Sequence, residues 1–111
     1  MPAVLNMENL REIIDNDREL ERELVSNFYT CYHTCMSELE TSLDTQDTVL
    51  WRNAAHALKG IAYNIGAECL GELSLKAERA CESSILEKQE LFEALKQSYA
   101  AVDYALKRAT T

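Results

Sequence analysis

The chain has 111 residues, with 11 Lys and Arg against 19 Asp and Glu, a formal net charge of −8. That length accommodates a single domain, residues 1–111, large enough to bury roughly two-thirds of its unfolded surface without metal or disulfide staples. The acidic balance disfavours nucleic acid and anionic lipid as partners, and no apolar run approaches the roughly 20 residues that cross a bilayer. The opening Met-Pro-Ala-Val-Leu-Asn lacks the basic and apolar segments of a secretory signal, so a cytoplasmic location is expected.

Three glycines, one proline and a recurrence of Glu, Leu, Ala, Lys and Arg favour helix throughout. Asn6 is placed to cap a short first helix, Met7 to about Ile14, with Glu8 at the positive end of its dipole. Leu10, Ile13 and Ile14 give it an apolar edge, too short to hold unless laid over other helices. Asn16 followed by Glu19 matches a capping box for a long helix over about residues 17–41. Its expected inward stripe is Leu20, Leu24, Phe28, Cys31, Cys35 and Leu39.

Residues 42–47 read as a polar joint, followed by a helix from about Asp47 to Asn64. Gly66 interrupts the pattern and permits a tight turn. Ala67, Leu70, Leu73 or Ser74, Ala77 and Cys81 then line a fourth helical face. Ser84 with Glu87 is a second capping box, and Phe92, Leu95, Tyr99, Val102 and Leu106 continue in steps of three and four. No period-2 alternation persists for a strand's length. The expected fold is all-α: an antiparallel up-down-up-down four-helix bundle with a short extra N-terminal helix as a lid.

Four cysteines show no Cys-x-x-Cys spacing and are read as reduced, buried core thiols rather than a metal or disulfide framework. His33, between Cys31 and Cys35, is read as a surface or joint-facing residue. The acids from Asp15 to Glu23 are interleaved with Arg18 and Arg22 and read as a solvated face.

His56 is different. On a helical projection Ala54, Leu58, Ile61 and Ile65 fall on the side away from it, while Arg52, Lys59, Gly60 and Tyr63 share its outward half. A neutral imidazole displayed outward can act as a nucleophile. If it takes a phosphoryl group, Lys59 one turn on can supply counter-charge. Gly60 leaves room for a partner's backbone, at a cost of about 1 kcal/mol in helix propensity.

The run His56-Ala-Leu58-Lys59-Gly60-Ile-Ala-Tyr63-Asn64-Ile65-Gly66-Ala-Glu-Cys-Leu70 resembles the histidine-containing phosphotransfer (HPt) domain of two-component phosphorelays. His56, Leu58, Lys59, Gly60, Gly66 and Leu70 fill the family's pattern, and Asp17 to Phe28 resembles its second helix. Glu78 sits where many members carry a leucine-then-glutamate pair. The resemblance covers nearly the whole chain. It implies His56 as phospho-acceptor, Lys59 as the charge near the phosphoryl group and Gly60 as docking clearance; Arg52, Tyr63 and Asn64, beside them on the helix, are further candidate docking residues.

It further implies exchange with a response-regulator receiver domain, which supplies Mg2+ and the catalytic pocket, and a hybrid histidine kinase upstream. No intrinsic cofactor or metal and no autonomous kinase or ATPase activity is expected, and the domain is expected to be monomeric. Tyr63 departs from the family, which usually has a small residue seven places after the histidine; it is either a tolerated rim aromatic or a partner-selecting contact. Asn64 either orients the phosphohistidine region or merely ends the helix. Rival readings are a non-catalytic adaptor that docks receivers without transfer, a self-associating bundle, and a metal- or haem-binding bundle. The last is poorly served by two histidines and no Glu-x-x-His pair.

Overall fold

A computed structural model of the chain describes residues 1–110. Five helices follow one another: α1 (Glu8–Ile13), α2 (Arg18–Thr45), α3 (Thr48–Asn64), α4 (Glu68–Arg79) and α5 (Ile85–Ala109), with no strand among the described residues. The chain forms a helical bundle, as the apolar periodicities require. Its core is assembled from Phe28, Leu39, Trp51, Leu58, Leu70, Leu95, Val102 and Leu106, all essentially inaccessible to solvent. At about 1.5–3 kcal/mol for each large apolar side chain, that burial supplies the main stabilising term.

The directions of the helices follow from which residues meet. Trp51 Nε1 donates to the carbonyl of Ala77 at 2.7 Å, and Tyr63, near the other end of α3, lies over Gly71, so α3 and α4 run in opposite directions. Tyr29 donates to Asp103 at 2.7 Å, and Tyr32 stacks on Tyr99 with ring centroids 3.6 Å apart, so α2 and α5 are likewise opposed. Burial beside Tyr99 pushes the Tyr32 phenol up to about 12, and the aromatic seam stays uncharged.

Several boundaries depart from expectation for local reasons. Helix α2 starts one residue later than the Asn16 capping box implied: Asn16 has a φ of 57°, and Asp17 is the cap, accepting from Leu20 N–H at 3.1 Å. The polar stretch after residue 41 is not a joint. Ser42 and Thr45 turn their hydroxyls onto the carbonyls of Leu39 and Thr41, so α2 continues to Thr45 before Gln46 breaks it in the left-handed region. Asp47 then caps α3 through Leu50 N–H, and Ser84 caps α5 through Glu87 N–H. Along α2 the inward position next to Phe28 and Cys35 is taken by Tyr32, with Met36 also buried, while Cys31 and Leu24 are only half-buried and Leu20 is exposed.

Of the four thiols, all free, only Cys35 is buried, which pushes it up to about 11; Cys31, Cys69 and Cys81 are half-buried, less enclosed than expected. His33 is exposed, edge-on to Tyr32 and Tyr99.

The N-terminus makes a feature that periodicity could not reveal. Residues 2–6 run as a strap across the α3–α4 turn. Asn6 N–H donates to Gly66 O, and Cys69 N–H donates to Ala3 O, both at 2.9 Å. Helix α4 has no side-chain cap, so the strap satisfies one of its orphan donors. Gly66 is obligatory here: its φ is 85°, and a β-carbon would run into the Asn6 carbonyl. Asn6 itself accepts from Glu8 N–H, and Met7, the residue between them, is buried in the hydrophobic core.

Candidate functional site

Helix α3 turns Trp51, Ala54, Ala55, Leu58 and Ala62 into the core, which leaves His56 on the outer side as its register demands. The His56 side chain is 65% exposed. It is nevertheless held. Its Nδ1 lies 3.0 Å from Glu78 Oε2, across the seam between α3 and α4. The other oxygen of that carboxylate accepts from Lys59 Nζ at 2.9 Å, so one acid grips both residues of the outward pair. Glu78 and Lys59 are 22% and 24% exposed, far less than the imidazole they flank.

The electrostatics set the protonation pattern. The Lys59 hydrogen bond, assisted by that from His56, holds the Glu78 carboxyl below the usual carboxylate range, so it is ionised at neutral pH and can only accept. The Nδ1 of His56 is therefore the protonated nitrogen of the neutral ring, and its N–H donates to Glu78. Nε2 carries the free lone pair and points away from this anchor. Glu78 was identifiable in the sequence only as a pattern residue. Its role depends on α4 passing beside α3 in one particular register.

Gly60, one turn beyond His56, is exposed, and a β-carbon there would meet nothing within 4 Å. No internal contact calls for glycine at that position. Tyr63 remains 42% exposed while its ring rests on Gly71. Asn64 lies on the rim of a shallow apolar groove with Leu10, Ile13, Phe28 and Ile61, at the α1–α2–α3 junction, where Ile13 is 72% exposed. Arg52 is exposed one turn before His56. The structure thus brings His56, Lys59, Gly60 and Tyr63 onto one ridge with Glu78, and places Asn64 and Arg52 at its flanks.

The imidazole itself stands largely in solvent; a cavity of about 680 Å³ lies elsewhere, at the N-terminal strap beside Arg11 and Ala109. Among the described residues no group of three or more His, Cys, Asp or Glu side chains is placed to hold a metal ion. Among them, too, no helix is long and apolar enough to cross a membrane.

Fold and site together define a helical domain that carries an anchored, largely solvent-exposed imidazole on the outer face of α3. The Hpt domain family model matches residues 23–105, and the chain belongs to that family, the histidine phosphotransfer domains of two-component phosphorelays, which interact with receiver domains and histidine kinases. No curated protein and no solved structure matches the chain.

Proposed function

We propose that the chain, as a single HPt unit, is a phosphorelay intermediate that accepts a phosphoryl group on His56 Nε2 from a receiver aspartate and passes it to another. The observation that carries this reading is the Glu78–His56 bond, which commits the ring proton to Nδ1 and frees Nε2. In the forward step the Nε2 lone pair attacks phosphorus. The bond from phosphorus to the aspartyl oxygen breaks, and its electron pair returns to the receiver carboxylate. The ring then bears positive charge, which the Glu78 carboxylate offsets through Nδ1–H. The reverse step onto a second receiver restores neutral imidazole.

Lys59 stands where it can exchange its Glu78 contact for a phosphoryl oxygen. The receiver brings Mg2+ and the in-line geometry that phosphoryl transfer needs, since the described residues present a nucleophile and charges but no phosphate-cradling loop. Gly60 admits the receiver's backbone, and Tyr63, Asn64, Arg52 and the apolar groove beside Ile13 form the surface on which it docks. A cytoplasmic domain working as a monomer, fed by a hybrid histidine kinase, fits this chemistry.

Intact mass before and after incubation with a phosphorylated receiver and magnesium tests the proposal. A single phosphoryl adduct on the wild-type chain is expected. An unchanged mass, with the receiver losing its phosphate no faster than alone, would leave only the non-catalytic adaptor reading.

A further inference from the structure

Two pairs cross from α3 to α4 in the same register. His56 meets Glu78, and seven residues further along α3 Tyr63 meets Gly71, seven residues back along α4. Seven residues of helix span about 10.5 Å. Between the pairs lies Gly60, with open space above it. The ridge is a shallow step: imidazole at one end, phenol ring at the other, bare backbone between.

Position 71 decides where the ring sits. Gly71 has no left-handed φ, and its N–H donates to Ala67 O at 2.9 Å as an ordinary helical bond. Backbone conformation therefore does not call for glycine. A β-carbon there would stand 2.8 Å from Cε1 and Cζ of Tyr63, closer than carbon atoms pack. The ring lies down against α4 because position 71 has no side chain, and it still leaves Tyr63 42% exposed. An aromatic fixed before binding offers contact area with little ordering left to lose.

Resting on the phosphotransfer reading above, we infer that Tyr63 is the specificity-determining contact for the receiver domain that exchanges phosphoryl groups with His56, and that Gly71 is the positioning residue that fixes its ring. A receiver reaches Nε2 by laying a segment across Gly60, and that segment ends against the Tyr63 ring. A receiver presenting an aliphatic or aromatic side chain there docks well. One presenting a carboxylate meets the negative face of the ring on a chain of net charge −8 and docks poorly.

The test compares wild type, Tyr63→Ala, Gly71→Ala and the double variant, using a panel of phosphorylated receiver domains with magnesium. The half-saturating receiver concentration is read separately from the maximal transfer rate. For the receivers that wild type uses best, Tyr63→Ala and Gly71→Ala should each raise the half-saturating concentration about tenfold, with maximal rates within about twofold. Adding Gly71→Ala to Tyr63→Ala should do nothing more, because the clash has gone with the ring. Should Gly71→Ala fail to fold, the Tyr63→Ala measurement decides alone. Unchanged half-saturation across the panel for Tyr63→Ala would overturn the inference while leaving His56 as acceptor, as would a Gly71→Ala effect of equal size with and without the ring. Failure of wild type to accept label from any receiver would overturn the phosphotransfer reading and this inference with it.

Discussion

Glu78 Oε2 lies 3.0 Å from His56 Nδ1, although 22 residues separate the two in sequence and only 22% of the Glu78 side chain is exposed. The same carboxylate holds Lys59 through its other oxygen. A surface imidazole is thereby anchored through Nδ1 by a half-buried acid, and the nitrogen left facing solvent is set by packing between two helices.

Glu78→Gln should keep the fold and weaken this control. The amide has one accepting oxygen in place of two and no charge to offset the phosphorylated ring. His56 is largely exposed, so the loss is expected at about 0.5–1 kcal/mol, or roughly a two- to fivefold slower transfer from a phosphorylated receiver. Stopped-flow or quenched-flow transfer rates check it, and an unchanged rate would remove Glu78 from the mechanism.

Substitutions at Gly60 should separate stability from transfer. Nothing inside the chain occupies the space of a β-carbon there, so Gly60→Ala should raise stability by up to about 1 kcal/mol through helix propensity. Gly60→Leu should fold equally well yet abolish most transfer, because its bulk stands where the receiver's backbone must pass. Thermal midpoints and transfer rates measured on both variants check this. Rapid transfer by Gly60→Leu would show that the receiver approaches from another side.

The strap makes a prediction about Cys69. Its N–H donates to Ala3 O, and its thiol lies 3.3 Å from Pro2 O. Deleting residues 1–6 should cost about 1–2 kcal/mol, for the two lost backbone bonds at the strap. It should also speed alkylation of Cys69 selectively and leave buried Cys35 slow, its thiol being pushed up to about 11. Mass-resolved alkylation kinetics read both effects; equal rates at Cys69 with and without the segment would show that the strap gives it no protection.

How much of this was legible in the sequence depended on whether a feature lies within one helix or between two. Within α3, the periodicity placed His56 outward and Leu58 inward, because a single helix has one fixed angle per residue. Ser84 and Gly66 were legible because capping and positive φ are local chemistry. The pairings of His56 with Glu78 and of Tyr63 with Gly71 were not. They depend on the register between α3 and α4, which the core as a whole determines. Helix α2 runs past its expected end because Ser42 and Thr45 satisfy their hydroxyls on their own helix, and so do not stop it. The strap carries no periodicity at all: its evidence is a pair of backbone hydrogen bonds to Gly66 and Cys69.

Acid should loosen the α2–α5 seam. The hydrogen bond from Tyr29, with a second contribution from Lys107, holds the Asp103 carboxyl below its ordinary value. Because its folded pKa is depressed, Asp103 contributes its full stabilisation above the ordinary carboxylate value. It loses that contribution as pH falls through the lower, folded value. Tyr29→Phe should therefore destabilise the protein by about 1 kcal/mol at neutral pH, and the difference from wild type should shrink under acid as Asp103 protonates. Urea midpoints across a pH series check this; a constant difference down to strongly acidic pH would show that the phenol acts through packing alone.

The central claim is that His56 carries the phosphoryl group, and residue-level localisation of the label tests it most directly. Wild type and His56→Gln are incubated with a phosphorylated receiver and magnesium, then digested at alkaline pH, and the acid-labile, base-stable phosphate is mapped by mass. The account predicts one labelled peptide in wild type, with the phosphoryl group on His56, and no label in His56→Gln despite a native thermal midpoint. Undiminished label in His56→Gln, mapped to His33 or to a serine, would contradict it.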